Sequence, residues 1–354
     1  MTPLRETNGN SFVGVTIQYR VREGNLDEPL RLPCPQISVL TISQLGAFGF
    51  VSSDEVYRKG AVNAGILDQH LALQWVQQYI HLFNGDPTRV TIAGESAGAG
   101  SVMLQDMAYG GSLGTQLFEN SIVASPYLPT QYNYNDWVPS QAYYSFATHA
   151  GCAPTTAVGA NNTIPIFECL VAKDADTIAN ASSTVSQLTF YGTWAFLPVT
   201  DGVFIQDLPS RQLLRGQVNG LRMLSGNNAN EGVGFTPQDI KTEDELVAYI
   251  TRTFPLFSEN DVSKVLLYYP STNASVDPNA PEFATSGDSG PTALNQSSVG
   301  TGQQQRADNI YAETTFVCPA YWLAEAYGSK KLGGEGYKYQ FSIPPAYHGA
   351  DIAG

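Results

Sequence analysis

The sequence has few charged residues for its length. Charged side chains make up 14% of the 354 residues, against roughly 25% in an average soluble domain. Basic residues are the scarcer sign, because 18 Lys and Arg stand against 32 Asp and Glu, which gives a formal net charge of −14. An acidic chain without a basic run is poorly suited to a phosphate backbone or an anionic membrane surface. We therefore expect no nucleic-acid partner.

Long hydrophobic runs and clustered metal ligands are also lacking. No run of about 18 apolar residues occurs, so the sequence predicts no membrane span. The four cysteines form no CxxC pair, and the only histidines are His70, His81, His149 and His348. A zinc site is therefore disfavoured, and we expect neither a metal nor a cofactor. Apolar residues nevertheless make up 43% of the chain, which contradicts the composition of a disordered protein.

Short apolar strands alternate with helical stretches along the chain. The predicted strands are 12–19, 89–93, 120–125, 221–225 and 337–343, and the clearest predicted helices are 66–80 and the one that begins at 97. This alternation predicts an α/β fold with a mostly parallel sheet. The polar stretch 271–305 is interpreted as a long surface excursion and not as a domain boundary.

A possible nucleophile follows the second predicted strand. Gly94-Glu95-Ser96-Ala97-Gly98 matches the pattern G-x-S-x-G, and in a strand–turn–helix setting this pattern is a nucleophile elbow. Small neighbours allow the strand and helix to approach closely. The Ala97 N–H at the helix N-terminus can then stabilise a developing oxyanion. The alternative is a glycine-rich turn that has no chemistry or binds an anion.

A nucleophilic serine needs a base, and the base needs an orienting acid. His348 is the only histidine in a loop after a predicted strand, since the other three lie in or at the ends of predicted helices. Glu231 follows the predicted strand 221–225 in an Asn/Gly-rich loop. Asp201 and Asp351 compete for the role of the acid. Asp201 does not follow a comparable strand, and Asp351 is too close in sequence to His348 to come from a separate strand.

The cysteines and glycosylation sequons bear on the compartment. Cys152 and Cys169 bracket a polar segment, as a small disulfide loop does. The four Asn-x-Ser/Thr sequons lie in polar, loop-like stretches, at Asn161, Asn180, Asn273 and Asn295. Together with a disulfide, these sequons favour an oxidising, secreted context. The alternative is a cytosolic protein with four buried thiols.

These motifs together resemble the type B carboxylesterase/lipase family, which includes the cholinesterases and the secreted fungal lipases. Glu95 before the serine is typical of this family, and the other matching segments are 63–76, 85–91, 226–232 and 348–351. The resemblance implies an α/β-hydrolase fold and a triad of Ser96, Glu231 and His348. It further implies hydrolysis of a small-molecule or lipid ester through an acyl-enzyme, a Cys152–Cys169 disulfide and an extracellular location.

Three departures from the family pattern bear on activity and on domain organisation. Family members have a Gly-Gly-Gly loop that supplies further oxyanion donors, and residues 1–11 contain no such run. They also continue beyond the histidine for several helices, whereas this sequence ends at Gly354. We therefore expect one partial α/β-hydrolase domain over 1–354, truncated at both ends and weakly active or inactive.

The third departure is the segment 21–44, which interrupts a stretch that should run directly from Arg20 into Leu45. We hypothesise that it is a translated intron, because the codons of Val21-Arg22 can form a splice donor and that of Gln44 an acceptor. Cys34 within it would then have no native partner. The alternative is a genuine surface insertion. RNA reads that join the flanking codons directly would support the intron, and uniform reads across the segment would contradict it.

Two alternatives to an ester hydrolase stay open at the level of sequence. One is a non-catalytic binding protein on the same fold, and the other is an inactive fragment. Lipase, general carboxylesterase and aromatic-ester hydrolase also stay open as activities. An aromatic stretch lines either an acyl pocket or the core; its members are Phe190, Tyr191, Trp194 and Phe196.

Overall fold

The protein is described by a computed structural model over residues 13–17, 46–153, 165–269, 302–329, 333–343 and 345–352. Four strands within these ranges form one sheet: β1 (Thr91–Glu95), β2 (Asn120–Ala124), β3 (Arg222–Asn228) and β4 (Glu335–Phe341). They lie side by side in chain order, and every neighbouring pair is parallel. The predicted α/β architecture with a parallel sheet is thus confirmed.

Helices connect and cover these strands. In the described ranges they are α1 (Ala47–Phe50), α2 (Asp54–Arg58), α3 (Ala64–Tyr79), α4 (Ala97–Asp106), α5 (Trp137–His149), α6 (Ile166–Val171), α7 (Ala175–Gln187), α8 (Pro209–Leu214), α9 (Glu243–Thr253), α10 (Glu259–Tyr268), α11 (Gly302–Ala312) and α12 (Cys318–Gly328). Shorter 3-10 turns span Ile80–Phe83, Pro87–Arg89 and Ala108–Gly111, and a π-helical turn spans Glu313–Val317. None of the helices in the described ranges has the length and apolar character that a bilayer span requires.

Local sequence signals set where several helices begin. Thr242 and Glu245 form a capping box at the start of α9, and Ser258 and Asp261 form one at the start of α10. The Asp174 side chain accepts the Thr177 N–H at the start of α7. These side chains bind N–H groups that have no partner inside the helix, which stabilises the helix ends.

The strand boundaries differ from those predicted. Strand β1 continues through Glu95, two residues beyond the predicted end, so it leads directly into Ser96. Strand β3 continues to Asn228, where the ladder with β4 ends at the pair Asn228–Phe341. Asn227 and Asn228 are almost fully buried. Apolar patterning does not predict buried asparagines, because tertiary hydrogen bonds compensate for the burial of their amides.

Two other predicted segments are corrected where the structure describes them. Residues 13–17, part of the predicted strand 12–19, do not form a continuous strand; Val13, Val15 and Ile17 instead line a cavity of about 830 Å³ beside β1. The excursion predicted at 271–305 ends earlier, because α11 begins at Gly302. The run of Gln and Arg that follows Gly302 favours helix by intrinsic propensity. The segment 21–44 lies outside the described residues.

Cys152 and Cys169 form a disulfide, with their Cα atoms 5.7 Å apart. Asn180 is exposed, as a sequon should be, but it lies within α7 and not in a loop, because the Asp174 cap starts the helix upstream of it. Ser182 of the same sequon is buried. The other three sequon asparagines and the cysteine of the segment 21–44 lie outside the described residues; they are Asn161, Asn273, Asn295 and Cys34.

The core consists of two clusters of buried apolar side chains. The larger one surrounds the sheet and includes Met103 and Val123. The smaller one joins α9, α11 and the π-helical turn and includes Leu246 and Phe316. The turns that follow β1, β3 and β4 open at the carboxyl edge of the sheet, beside the smaller cluster. In parallel α/β sheets this edge is where ligands bind.

Candidate active site

Ser96 occupies the sharp turn between β1 and α4. Its φ of 57° and ψ of −122° are strained for a residue with a side chain. Three backbone hydrogen bonds hold this conformation. The Ser96 N–H donates to the Ala124 carbonyl over 3.0 Å, and its carbonyl accepts from Gly100 at 2.9 Å and from Tyr127 at 3.1 Å. The turn therefore has the geometry of a nucleophile elbow.

The small residues of the elbow are not equivalent. A Cβ on Gly94 would lie 2.4 Å from the Gly98 carbonyl carbon and oxygen, and one on Gly100 would lie 2.4 Å from the Tyr127 carbonyl oxygen. A Cβ on Gly98 would meet nothing within 4 Å. Close approach of strand and helix therefore requires glycine at Gly94 but not at Gly98. Ala97 is the first residue of α4, so its N–H has no partner within the helix.

Three side chains that the sequence singled out meet at this turn. His348 Nε2 lies 2.7 Å from Ser96 Oγ, and His348 Nδ1 is hydrogen-bonded to the Glu231 carboxylate. With the ring neutral and protonated on Nδ1, the ring donates to Glu231 and accepts from the serine hydroxyl. The three residues follow β1, β3 and β4, and their alignment arises from parallel pairing of strands that are distant in sequence.

Glu231 is fully buried, and its second oxygen is held by groups that sequence reasoning missed. Oε1 accepts from the Ser125 hydroxyl at 2.5 Å and from the Asn228 N–H at 2.6 Å. The side-chain amide of Asn228 contacts Asp351 in two ways. Its Nδ2 donates to Asp351 Oδ1 over 3.0 Å, and its Oδ1 accepts the backbone N–H of Asp351 at 3.1 Å. Asn228 therefore joins the acid loop to the histidine loop. Its place in an Asn/Gly-rich loop was visible in the sequence, but its partners were not.

The competing acids have other partners. Asp201 is buried, and its Oδ1 accepts the three successive N–H groups of residues 203–205. Its Oδ2 accepts from Asn63 at 2.8 Å. Asp351 accepts from the Tyr339 hydroxyl at 2.6 Å as well as from Asn228. Asp201 thus closes a turn, and Asp351 supports the loop on which His348 lies.

Several carboxylates surround the imidazole. Glu95 Oε1 lies 3.3 Å from His348 Nε2, on the same side as the serine. Burial lowers the pKa of His348, but the hydrogen bond to Glu231 and the charges of Glu231, Glu95 and Asp351 together raise this pKa above its ordinary value. Burial also raises the pKa of Glu95. The site is therefore arranged to stabilise a positive charge on the histidine.

One half-buried cation lies behind the acid loop. The Lys338 ammonium donates to the side chain of Asn227 and to the Tyr339 carbonyl, and it lies 4.7 Å from the centroid of the Tyr321 ring. Burial lowers the pKa of Lys338 to about 8, and the charge of Glu231 opposes this shift. Lys338 therefore belongs to the support of the acid loop.

Comparison with known proteins places this geometry in a family. A model described as the carboxylesterase family matches residues 37–351. The chain belongs to the carboxylesterase family. It is 32% identical over 310 residues to the carboxylesterase patB of Aspergillus clavatus, across 87% of this chain and 49% of that protein. It is 33% identical over 277 residues to lipase 2 of Geotrichum candidum, across 75% of this chain and 48% of that protein.

A solved structure agrees with this assignment. The crystal structure of EstA from Aspergillus niger superposes with a TM-score of 0.67 at 25% identity, across 87% of this chain and 55% of that one. The fold is therefore that of the α/β-hydrolases. The chain spans about half the length of the curated relatives it matches. The family match begins within the segment 21–44, whose interpretation as an intron stays a prediction, as does the single partial domain.

In this carboxylesterase-family chain, aromatic rings hold the histidine. The Phe316 ring lies 4.5 Å from the His348 ring between centroids, and the Phe235 ring lies 5.0 Å away at nearly a right angle. Phe316 comes from the π-helical turn Glu313–Val317, a type of local distortion that is frequent at functional sites. The Thr315 carbonyl of this turn accepts the Leu128 N–H at 2.9 Å. Only the long-range fold places these rings.

A cavity of about 460 Å³ lies beside the elbow, and most of its lining is apolar. The sequence predicted that an aromatic stretch lines either a pocket or the core. In the structure, some of its residues line the cavity and one packs in the core. Phe190 and Trp194 line the cavity, whereas Phe196 is only 1% exposed and packs in the larger cluster. Tyr191 is 59% exposed and donates to the Gly234 carbonyl.

The remaining histidines have other contacts. His70 is buried, with Nδ1 3.2 Å from the Gln105 side-chain oxygen, and burial lowers its pKa. His149 Nδ1 contacts the Ser145 carbonyl one turn earlier in α5. His81 lies in the 3-10 turn after α3. These contacts agree with the helical positions predicted for all three.

Proposed function

We propose that this protein hydrolyses carboxylic esters, with Ser96 as nucleophile, His348 as general base and acid, and Glu231 as the orienting acid. One observation carries the proposal. A continuous series of hydrogen bonds runs from Ser96 Oγ through His348 to the buried Glu231, beginning at a strained elbow. This arrangement of nucleophile, base and orienting acid is what acyl transfer requires.

The chemistry divides into two halves. As Ser96 Oγ attacks the ester carbonyl carbon, His348 Nε2 takes its proton, and the Ala97 N–H donates to the negatively charged carbonyl oxygen. His348 then gives the proton to the alcohol as its bond to the acyl carbon breaks, which leaves an acyl-serine. Water, deprotonated by the same nitrogen, releases the acid. One oxyanion donor contributes a factor of about 10²–10³ to kcat.

Glu231 orients His348 and stabilises its protonated form. Its bond to Nδ1 orients the ring so that Nε2 faces the serine, and its negative charge stabilises the imidazolium formed in each half-reaction. Ser125 and Asn228 keep the carboxylate in place by binding its other oxygen. The raised pKa of His348 favours proton uptake from the serine.

The proposed substrate class and location rest on the cavity, the relatives, the disulfide and the sequons. We propose a small-molecule or lipid ester whose acyl part enters the apolar cavity next to Tyr127. Relatives include a secreted triacylglycerol lipase of Gibberella zeae, 31% identical across 67% of this chain and 40% of that protein. With the disulfide and the sequons, this likeness supports an extracellular location.

A fluorophosphonate probe tests the proposed nucleophile without a chosen substrate. It should label the protein once, and Ser96→Ala should abolish labelling while Ser112→Ala, at an exposed serine, leaves it unchanged. Hydrolysis of p-nitrophenyl butyrate, which we expect to be weak because Ala97 supplies a single assigned oxyanion donor, should be lost in the same variant. Undiminished labelling of folded Ser96→Ala, or no labelling of the folded parent protein, would contradict the proposal and favour a non-catalytic protein.

A further inference from the structure

The cavity beside the elbow has an uneven distribution of charge. Among the described residues that line it, Arg252 is the only one with a charged side chain, and no carboxylate takes part. The formal net charge of the whole chain is −14, so a wall that excludes acidic residues but includes a guanidinium is unlike the rest of the molecule. Such a wall is complementary to an apolar ligand with one anionic group.

The Arg252 guanidinium lies over an aromatic ring and has no carboxylate partner in the part of the chain that the structure describes. Its central carbon lies 5.3 Å from the centroid of the Phe190 ring, which also lines the cavity. Among the described residues Arg252 forms no ion pair, whereas the buried Arg306 pairs with Glu243 over 3.0 Å. A guanidinium stacked on an aromatic face loses little further freedom when its N–H groups bind a carboxylate.

One residue of the cavity wall contacts the serine turn. Tyr127 lines the cavity, and its backbone N–H donates to the Ser96 carbonyl. Its ring lies 5.5 Å from that of Phe316, which packs on His348. Tyr127 therefore connects the cavity wall to the aromatic support of the triad, and Arg252 belongs to the wall formed by α9.

The charges of the site orient such a ligand. At the serine, Glu95 and Glu231 both contact His348, and Asp351 lies on the histidine loop. An anionic group placed there is repelled, because like charges in a partly buried site interact strongly. At Arg252 the same group is attracted. These charges therefore favour an orientation in which the ester carbonyl of such a ligand lies at Ser96 and its anion at Arg252.

We propose that Arg252 selects esters whose acyl chain ends in a carboxylate, such as hemiesters of medium-chain dicarboxylic acids. The inference rests on the proposed ester hydrolysis and adds the substrate class. A volume of about 460 Å³ falls within the usual range for small-molecule sites. The carboxylate stays unchanged in the reaction, which breaks the ester bond as already described.

Two esters of equal length test the selection. The mono-p-nitrophenyl ester of octanedioic acid carries the distal carboxylate, and p-nitrophenyl octanoate lacks it. Arg252→Gln should lower kcat/KM for the anionic ester about tenfold, the lower end of what a charged hydrogen bond contributes. The neutral ester should change by less than about twofold, because the arginine is exposed and supports no buried group. Equal effects on both esters would overturn the proposal.

A matched variant and a salt series control for charge in general. Arg211 is exposed on α8, pairs with Asp207 and does not line the cavity. Arg211→Gln should leave the ratio of the two kcat/KM values unchanged. Higher ionic strength should reduce the preference of the parent protein for the anionic ester. A preference that Arg211→Gln removes as fully as Arg252→Gln does would contradict the inference.

A binding measurement separates this inference from catalysis. In Ser96→Ala, the monomethyl ester of octanedioic acid should quench the fluorescence of Trp194 and Trp137, which line the cavity. It should bind about tenfold more tightly than methyl octanoate, and Arg252→Gln should remove the difference. Selective binding without turnover would retain the ligand site and reject the proposed hydrolysis. Turnover of the neutral ester without selectivity would retain the hydrolysis and reject the role of Arg252.

Discussion

The sheet wall and the helix wall of the candidate site are built from different interactions. On the sheet wall, Glu231 and Asn228 are fully buried and linked by hydrogen bonds. On the helix wall, formed by α9, α11 and the turn 190–197, aromatic and apolar side chains that range from buried, such as Tyr311, to half-exposed, such as Phe190, surround an open volume. Directional hydrogen bonds fix the positions of the side chains on the sheet wall, whereas the fit between apolar side chains fixes them on the helix wall. Substitutions should therefore be costly on the first and mild on the second.

The largest expected effect is on the sheet wall, at the acid itself. Glu231→Gln preserves the shape but lets the ring adopt the wrong tautomer, so kcat should fall about 10⁴-fold, as in other triads that lose the acid. Steady-state hydrolysis of p-nitrophenyl butyrate measures this. Glu325→Gln, at an exposed glutamate of α12, is the control and should retain full activity. A loss below about tenfold would exclude Glu231 as the orienting acid.

Asn228 should show the cost of breaking the buried network. Asn228→Ala removes the side-chain amide that donates to both Glu231 and Asp351 in a buried network, so the free energy of unfolding should fall by about 3 kcal/mol. Urea denaturation measures the change. Asn180→Ala in the unglycosylated protein is the control, since Asn180 is exposed, and it should shift the value by less than about 0.5 kcal/mol. Similar values for both would remove the contrast between buried and exposed amides.

The elbow offers a matched pair of glycines. Gly94→Ala forces a Cβ against the Gly98 carbonyl, and we expect a loss of about 2 kcal/mol in unfolding free energy. Gly98→Ala meets open space within α4, where alanine is favoured over glycine by about 0.5–1 kcal/mol. Thermal unfolding of the two variants gives the sign of each change. A destabilised Gly98→Ala with a stable Gly94→Ala would contradict the described packing.

The pH profile tests the charges around the histidine. The neutral form of His348 is the proposed base, so kcat/KM should rise with pH through a pKa above the ordinary histidine value. Glu95→Gln removes one of the charges that raise this pKa, so the rise should move to lower pH. A shift to higher pH would reverse the assigned sign.

The same raised pKa has a consequence for stability. Because the folded-state pKa of His348 exceeds the unfolded one, protonation stabilises the fold at low pH. This contribution is fully present below the unfolded pKa and is lost as the pH rises through the folded value.

The smallest effect is expected on the helix wall. Phe190 is 54% exposed, so Phe190→Ala should change the unfolding free energy by less than about 1 kcal/mol. Urea denaturation, run beside Asn228→Ala, measures the difference between the two walls. A loss as large as that of Asn228→Ala would show that the aromatic wall is part of the folded core.

Sequence reasoning located the elements that depend on local pattern. The elbow motif, the strand before it and the helix after it are contiguous, and each later candidate follows its own strand. The supporting groups escaped it because their partners are remote. Ser125 reaches Glu231 across 106 positions, and Asn228 reaches Asp351 across 123. No local pattern distinguishes these residues from ordinary turn serines and asparagines.

The sequence by itself determined the α/β class and the family resemblance, and it was enough to propose Ser96 as the nucleophile and the order in which acid and histidine follow. These depend on periodicity and short motifs, which act within a few residues. Tertiary structure alone decided that β3 extends to two buried asparagines, that a π-helical turn places Phe316 on His348, and that Arg252 lines an apolar cavity. These features need contacts between distant segments, whose free energy appears only when the parallel strands pair.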